Sequence, residues 1–112
     1  MRHVSKALQK FKENKVLEHD SFITILNEED VKGVAPIVCF AIQSDPISEV
    51  GVNGVQATDM LEYVKCLFES LNEAFPCAEN EFTINCIAEA INWQEARTKN
   101  RVKRGVEGKN EA

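Results

Sequence analysis

Val4, Ala7, Leu8 and Phe11 fall at i, i+3, i+4 and i+7. That spacing puts apolar side chains on one helix face, and residues 3–14 are predicted to form a short amphipathic helix. Ser21 to Asn27 holds Phe22, Ile23, Thr24, Ile25 and Leu26, a β-rich run that predicts a strand. A polar turn region from Asn27 to Gly33 separates it from the apolar run Ile37-Val38-Cys39-Phe40-Ala41-Ile42. Pro36 precedes that run, as proline is tolerated at a strand's first residue. Ser44-Asp45-Pro46 signals a turn. Ile47 to Val52 then places Val50 and Val52 on one face, and Asn53-Gly54 is a reversal dipeptide. The expectation for this part is a small antiparallel sheet.

From residue 58 the period changes. Met60, Leu61, Val64, Leu67, Phe68, Leu71, Ala74 and Phe75 recur at three- and four-residue steps, which predicts a helix of about four turns. Thr58 or Asp59 is suited to cap its start, and Pro76 pushes the preceding residue out of the helical region and stops it. Asn80 is a suitable cap for a second helix running to Arg104, with Gly105 at the position past its end. About 25 residues at 1.5 Å each give this helix a length of roughly 37 Å. The short connection makes the two helices an antiparallel hairpin. The fold class expected is α+β: a short N-terminal helix, a small antiparallel sheet, then a long two-helix hairpin. Residues 1–112 read as a single domain, with the helix and β region over 1–56, the hairpin over 57–105 and a tail over 106–112.

Composition narrows the function more than it names it. Hydrophobic residues make up 44% and charged residues 28% of the chain, which suits a packed globular core. No apolar stretch approaches the roughly 20 residues of a membrane span. The opening Met-Arg-His-Val-Ser leads into an amphipathic segment and not a secretory core, so the chain is expected to stay in the cytoplasm. Cys39, Cys66, Cys77 and Cys86 have no C-x-x-C spacing, and the histidines, His3 and His19, lie far from them in sequence. The reading is four reduced thiols, with no disulfide, metal or other cofactor. Cys39 and Cys66 sit in apolar patterns and are expected to act as small hydrophobes.

The net charge of −5 conceals an asymmetry. Residues 1–96 hold 7 Lys/Arg against 16 Asp/Glu, whereas residues 97–112 hold 6 Lys/Arg against 2 Asp/Glu. An acidic body lacks the broad basic footprint that duplex nucleic acid requires. A local basic patch suits a small anion, or it offsets the dipole at a solvated helix end. The second helix has two non-polar directions. Ile84, Ile87, Ala88, Ile91 and Val102 share a stripe expected to face the first helix. Cys86, Ala90 and Trp93 point elsewhere, and Arg97, Arg101 and Arg104 continue that side, leaving Glu89, Asn92, Lys99 and Lys103 to solvent. This second side is either a subunit interface edged by an anion pocket or a surface packed on the sheet.

The arginine fork donates two parallel hydrogen bonds to one anion, which suits phosphate. Asn80 offers donors and acceptors, and Phe75 and Phe82 offer faces for a base. Taken singly, Asn80 reads equally as a cap and the phenylalanines as core. All three lie at the far end of the hairpin from the arginines and could share a ligand with them only across a subunit boundary. Gly51-Val52-Asn53-Gly54 lacks the spacing of a phosphate-binding loop. No Ser/His/Asp or Cys/His set can be assembled, so catalysis is not expected.

With these residues in place, the chain resembles the phage Thoeris anti-defence family, sponges for cyclic ADP-ribose-type signals. The resemblance covers roughly residues 47–108. It is carried by Glu49-Val50-Gly51-Val52-Asn53-Gly54-Val55-Gln56, by Phe75-Pro76-Cys77 with Glu79-Asn80, and by Trp93, Arg97-Thr98, Arg101 and Arg104-Gly105-Val106-Glu107-Gly108. A similar hairpin occurs in anti-CBASS sponges for cyclic oligonucleotides. The resemblance implies a homo-oligomer, a hexamer, that captures a glycocyclic ADP-ribose signal without turnover, with cyclic di- and trinucleotides as further candidates at separate sites. It implies that Arg97 and Arg101 hold phosphate and that Asn80 contacts ligand; Phe75, Phe82 and Arg104 complete the expected site from the residue reading above. Ala78 stands where the family usually has Arg, and Asn100 where Asp is common; both departures bear on ligand range. The competing reading is an oligomeric interaction protein whose hairpin only mediates self-assembly or contact with a host protein.

Overall fold

A computed structural model describes residues 6–7, 10–11, 22–26 and 37–105 of the chain. Lys6, Ala7, Lys10 and Phe11 are helical, in line with the helix expected over 3–14, whose other residues lie outside the described ones. Strand β1 (Ile23–Leu26) pairs antiparallel with β2 (Ile37–Phe40), Ile23 opposite Phe40 and Leu26 opposite Ile37. Helix α1 (Ile47–Val50) is a single turn, and α2 (Ala57–Ala74) and α3 (Ala78–Arg104) form the long antiparallel hairpin. The architecture is α+β, as the sequence predicts.

The core gathers where the first helix and the sheet meet α2. Ala7, Phe11, Ile23, Val55, Tyr63 and Cys66 are buried together, with Phe22, Val38, Phe40, Met60 and Leu67 packed around them. Tyr63 anchors the cluster: its ring meets Phe11 at 6.2 Å and Phe40 at 5.6 Å, both edge-on, the geometry that aromatic quadrupoles favour. Lys10 pairs with Glu69 at 3.3 Å beside it.

The deepest positions of α2 are Asp59, Tyr63, Cys66 and Ser70. This stripe lies one position round from the one the periodicity suggests, and Val64 is left exposed. Cys66 takes the expected hydrophobic role, whereas Cys39 is exposed on the two-stranded sheet.

Residues 47–52 do not form the expected strand. Pro46 caps α1, the Glu49 and Val50 amides donate to the Pro46 carbonyl, and Gly51 ends the turn at φ 74°. Asn53-Gly54 consequently closes no hairpin. Val55 instead runs parallel to Ile42, its N–H donating to the Ala41 carbonyl and its carbonyl accepting from the Gln43 amide, each at 2.8 Å.

The helix caps also differ from expectation. Gln56, not Thr58 or Asp59, caps α2, and the Asp59 carboxylate at the third helical position accepts the Gln56 N–H at 2.8 Å. Cys77, not Asn80, stands at the cap of α3. Phe75, just before Pro76, leaves the helical region, and Gly105 ends α3 in the left-handed conformation at φ 71°, ψ 22°. Each arm of the hairpin thus ends where the sequence dictates, α2 at proline and α3 at glycine.

Candidate functional site

At about 100° per residue, Phe82, Cys86, Ala90, Trp93, Arg97 and Arg104 fall within an arc of about 80° on α3. All six are exposed, Phe82 at 70% and Trp93 at 69%. The face turned toward α2 carries Ile84, Ile87, Ala88 and Ile91, which are partly or fully buried. The sequence therefore divides α3 correctly into a packed face and a second non-polar face, and the second face is open. Phe82 and Phe75 are surface residues, so the core alternative for them is set aside.

The C-terminal third of α3 departs from the sequence picture. α3 has 27 residues and α2 has 18, so α3 overhangs by roughly 13 Å at 1.5 Å per residue. Val102 lies on this overhang, beyond the reach of α2, and is 61% exposed instead of packed. Arg101, expected on the open side with Arg97, is buried at 5%. A guanidinium cannot shed its charge and is buried only where the fold satisfies it. Arg97 and Arg104 remain exposed.

Beside Arg97 the surface forms a cleft of about 560 Å³, within the roughly 300–1,000 Å³ range of small-molecule sites. One wall is the first turn of α2, Gln56 to Asp59; the second is α3 from Gln94 to Lys99; Ile47 of α1 forms the rim. Arg97 and Lys99 supply cationic groups, and the start of α2 adds the partial positive charge of a helix N-terminus. Glu95 and Asp59 supply the acidic groups, with Asp59 already holding the Gln56 amide. The cleft thus combines an aliphatic rim with cationic and hydrogen-bonding groups. Ile47, Gln56 and Thr58 are not among the site residues the sequence suggests, because local spacing does not show that α1 and the start of α2 meet α3 here.

The hairpin tip is a separate place. Asn80 is half-buried, and its Nδ2 reaches the Phe75 carbonyl at 3.5 Å, while Asn72 Oδ1 accepts the Cys77 amide at 3.0 Å. Seventeen positions separate Asn80 from Arg97 along α3, about 25 Å. Within one copy, the fold does not bring Phe75, Asn80 and Phe82 to the arginines.

Burial raises the pKa of the Cys66 thiol, reinforced by the Glu69 carboxylate, and raises that of Tyr63 with Cys66 beside it. Cys66 is consequently a protonated core thiol and not an activated nucleophile. Among the described residues, no three His, Cys, Asp or Glu side chains gather as metal ligands, and no helix is long and apolar enough to cross a membrane. His3 and His19 lie outside the described residues.

No family model matches the chain. It is similar to Thoeris anti-defense 1 of Bacillus phage SBSphiJ7, with 39% identity over 70 residues, 62% of this chain and 49% of the relative. The chain spans about half the length of the curated relative it matches. Over that segment the resemblance to Thoeris anti-defence proteins is borne out as a sequence relationship.

Proposed function

We propose, with this relationship as premise, that the chain is a phage anti-defence protein that sequesters a cyclic nucleotide immune signal of the glycocyclic ADP-ribose type. It acts by equilibrium binding and not by turnover, as an oligomer in the infected bacterial cytoplasm. The observation that carries the reading is the open stripe of α3, which starts at Phe82, passes Trp93 and ends at Arg97 on the edge of a ligand-sized cleft.

The stripe is also self-complementary. Two copies of α3 paired antiparallel about the point between Glu89 and Ala90 set Phe82 against the partner's Arg97 and Cys86 against the partner's Trp93. Charges agree with this pairing, since the first turn of α3 carries Glu79 and Glu81 and the last carries the exposed Lys103 and Arg104. The tip of one copy thereby reaches the cleft of the other. Phe82 supplies a face for a base, Asn80 its amide, and Arg97 a fork for phosphate. The pair is the repeating unit of a larger homo-oligomer, a hexamer by the family resemblance. Cyclic di- and trinucleotides are further candidate ligands.

Exposed Trp93 and Phe82 would serve a pure assembly protein equally well. Calorimetric titration of the protein against a panel of cyclic nucleotides separates the two readings. Sequestration requires saturable binding of glycocyclic ADP-ribose, weakened by Arg97→Ala. An oligomer that binds no member of the panel would establish the assembly reading instead.

A further inference from the structure

The segment between Ala41 and Val55 is held shut by two side-chain amides. Gln43 Nε2 donates to the Asp45 carbonyl at 3.2 Å and to the Gly51 carbonyl at 3.0 Å, so one amide ties both flanks of α1. Gln43 Oε1 accepts the Asn53 amide at 2.9 Å. Asn53 then pairs with Ser44 as a peptide group would, Oδ1 accepting the Ser44 N–H and Nδ2 donating to its carbonyl, both at 2.9 Å. Gly54 makes room for this closure: a Cβ there would lie 2.5 Å from Gln43 N and 2.6 Å from the Ala41 oxygen.

This network closes the segment from Gln43 to Asn53 on both sides of α1. Its two products are the placement of α1 and the entry into α2. Ile47 is the first residue of α1, Gln56 follows Val55 directly, and both line the cleft beside Arg97. Val55 itself is fully buried in the core. The clasp therefore joins a fixed point of the core to the cleft rim on one side and the cleft wall on the other.

We infer that Gln43 and Asn53 are positioning residues of the ligand cleft, holding Ile47 and the first turn of α2 at the spacing from Arg97 that a bound ligand requires. The inference rests on the cleft being the ligand site. The clasp acts by pre-organisation: the rim is ordered before the ligand arrives, so binding does not bear that ordering cost.

The test uses the full chain with isotope-labelled Ile methyls and amides, and glycocyclic ADP-ribose as probe. Gln43→Ala should shift the Ile47 methyl and Ala57 amide resonances of the free protein and weaken binding by roughly tenfold. Saturation with ligand should return those resonances toward their wild-type bound positions, which a general loss of stability would not do. Asn53→Asp keeps the Ser44 N–H contact and loses the donor to its carbonyl. It should show a smaller effect in the same direction and guards against outright misfolding of the alanine variant. Arg97→Ala is measured alongside. If Arg97→Ala loses affinity while the Gln43 and Asn53 variants bind normally, the positioning role is overturned and the ligand site stands. If the wild-type protein binds no probe, the ligand site falls, and the clasp's part in binding falls with it.

Discussion

Arg97 and Arg101 stand one turn apart on α3, and the fold exposes the first while burying the second. Two residues of one type on one helix thereby stand in different surroundings. A hydrogen bond from a charged group contributes about 1.5–3 kcal/mol net, and about 1.4 kcal/mol is tenfold in affinity. Arg97→Ala should weaken binding of glycocyclic ADP-ribose by roughly ten- to a hundredfold. Arg97→Lys should recover part of the loss, because the ammonium keeps the charge but not the fork. Stability should change by less than about 0.5 kcal/mol, as for other exposed positions.

Arg101→Ala should behave differently. Removing a buried guanidinium leaves the groups that satisfied it unpaired, at a cost of about 3 kcal/mol. Denaturant unfolding should show this loss with no ligand present. Equal stability of the two alanine variants would mean that Arg101 is solvated.

The open face of α3 carries a prediction about assembly. Light scattering coupled to size exclusion should give a mass well above the 12.6 kDa of one chain. Trp93→Glu, which places a charge in the middle of the stripe, should shift the mass toward that of one chain. Asn92→Glu, on the neighbouring exposed face, should leave it unchanged. A wild-type monomer at tens of micromolar would remove the shared site along with the interface.

Two glycines separate a steric need from a conformational one. Gly54→Ala forces a methyl into the backbone of residues 41–43 and should destabilise the protein by more than about 2 kcal/mol. Gly51 has open space around it but φ 74°, so Gly51→Ala should cost about 1 kcal/mol. Denaturant midpoints of the two variants give the order directly.

Burial of Tyr63 and Cys66 makes the fold sensitive to alkaline pH. Both groups have their pKa raised in the folded state, so the stabilisation from keeping them neutral is complete below their unfolded values. It is lost as pH rises through the folded values. The melting temperature should hold between about pH 6 and 8 and fall above about pH 9. A Cys66→Ala variant should lose part of that alkaline fall.

The hairpin was legible because Met60 to Phe75 and Ile84 to Ile91 keep a clear helical period, and Pro76 and Gly105 mark where it must break. The caps were less legible. Gln56 and Cys77 are weak capping types, and the side chains that resemble caps, Asp59 and Asn80, work from inside the first turn. α1 was misread because four residues hold too little periodicity to tell a helical turn from a strand. Its flanks are tied by Gln43 and Asn53, amides whose partners cannot be read from local spacing. The second face with Cys86, Ala90, Trp93 and Arg97 followed from helical geometry, whereas its openness and its continuation to Phe82 are given by the fold. The burial of Arg101 did not, because α2 ends short of it and the burial is a product of the tertiary fold. The cleft was hidden for a related reason: its rim and walls come from three elements, and only α3 carried a candidate ligand residue there.

Capture without chemistry leaves the signal unaltered, and mass balance reads that out. A fixed amount of glycocyclic ADP-ribose is mixed with excess protein, the free fraction is measured after filtration, and the protein is then denatured by heat. The signal should disappear from the filtrate and return quantitatively and chemically intact. Recovery of a cleaved product would contradict capture without chemistry by making the protein an enzyme, and a filtrate that never loses signal would contradict it by removing the site.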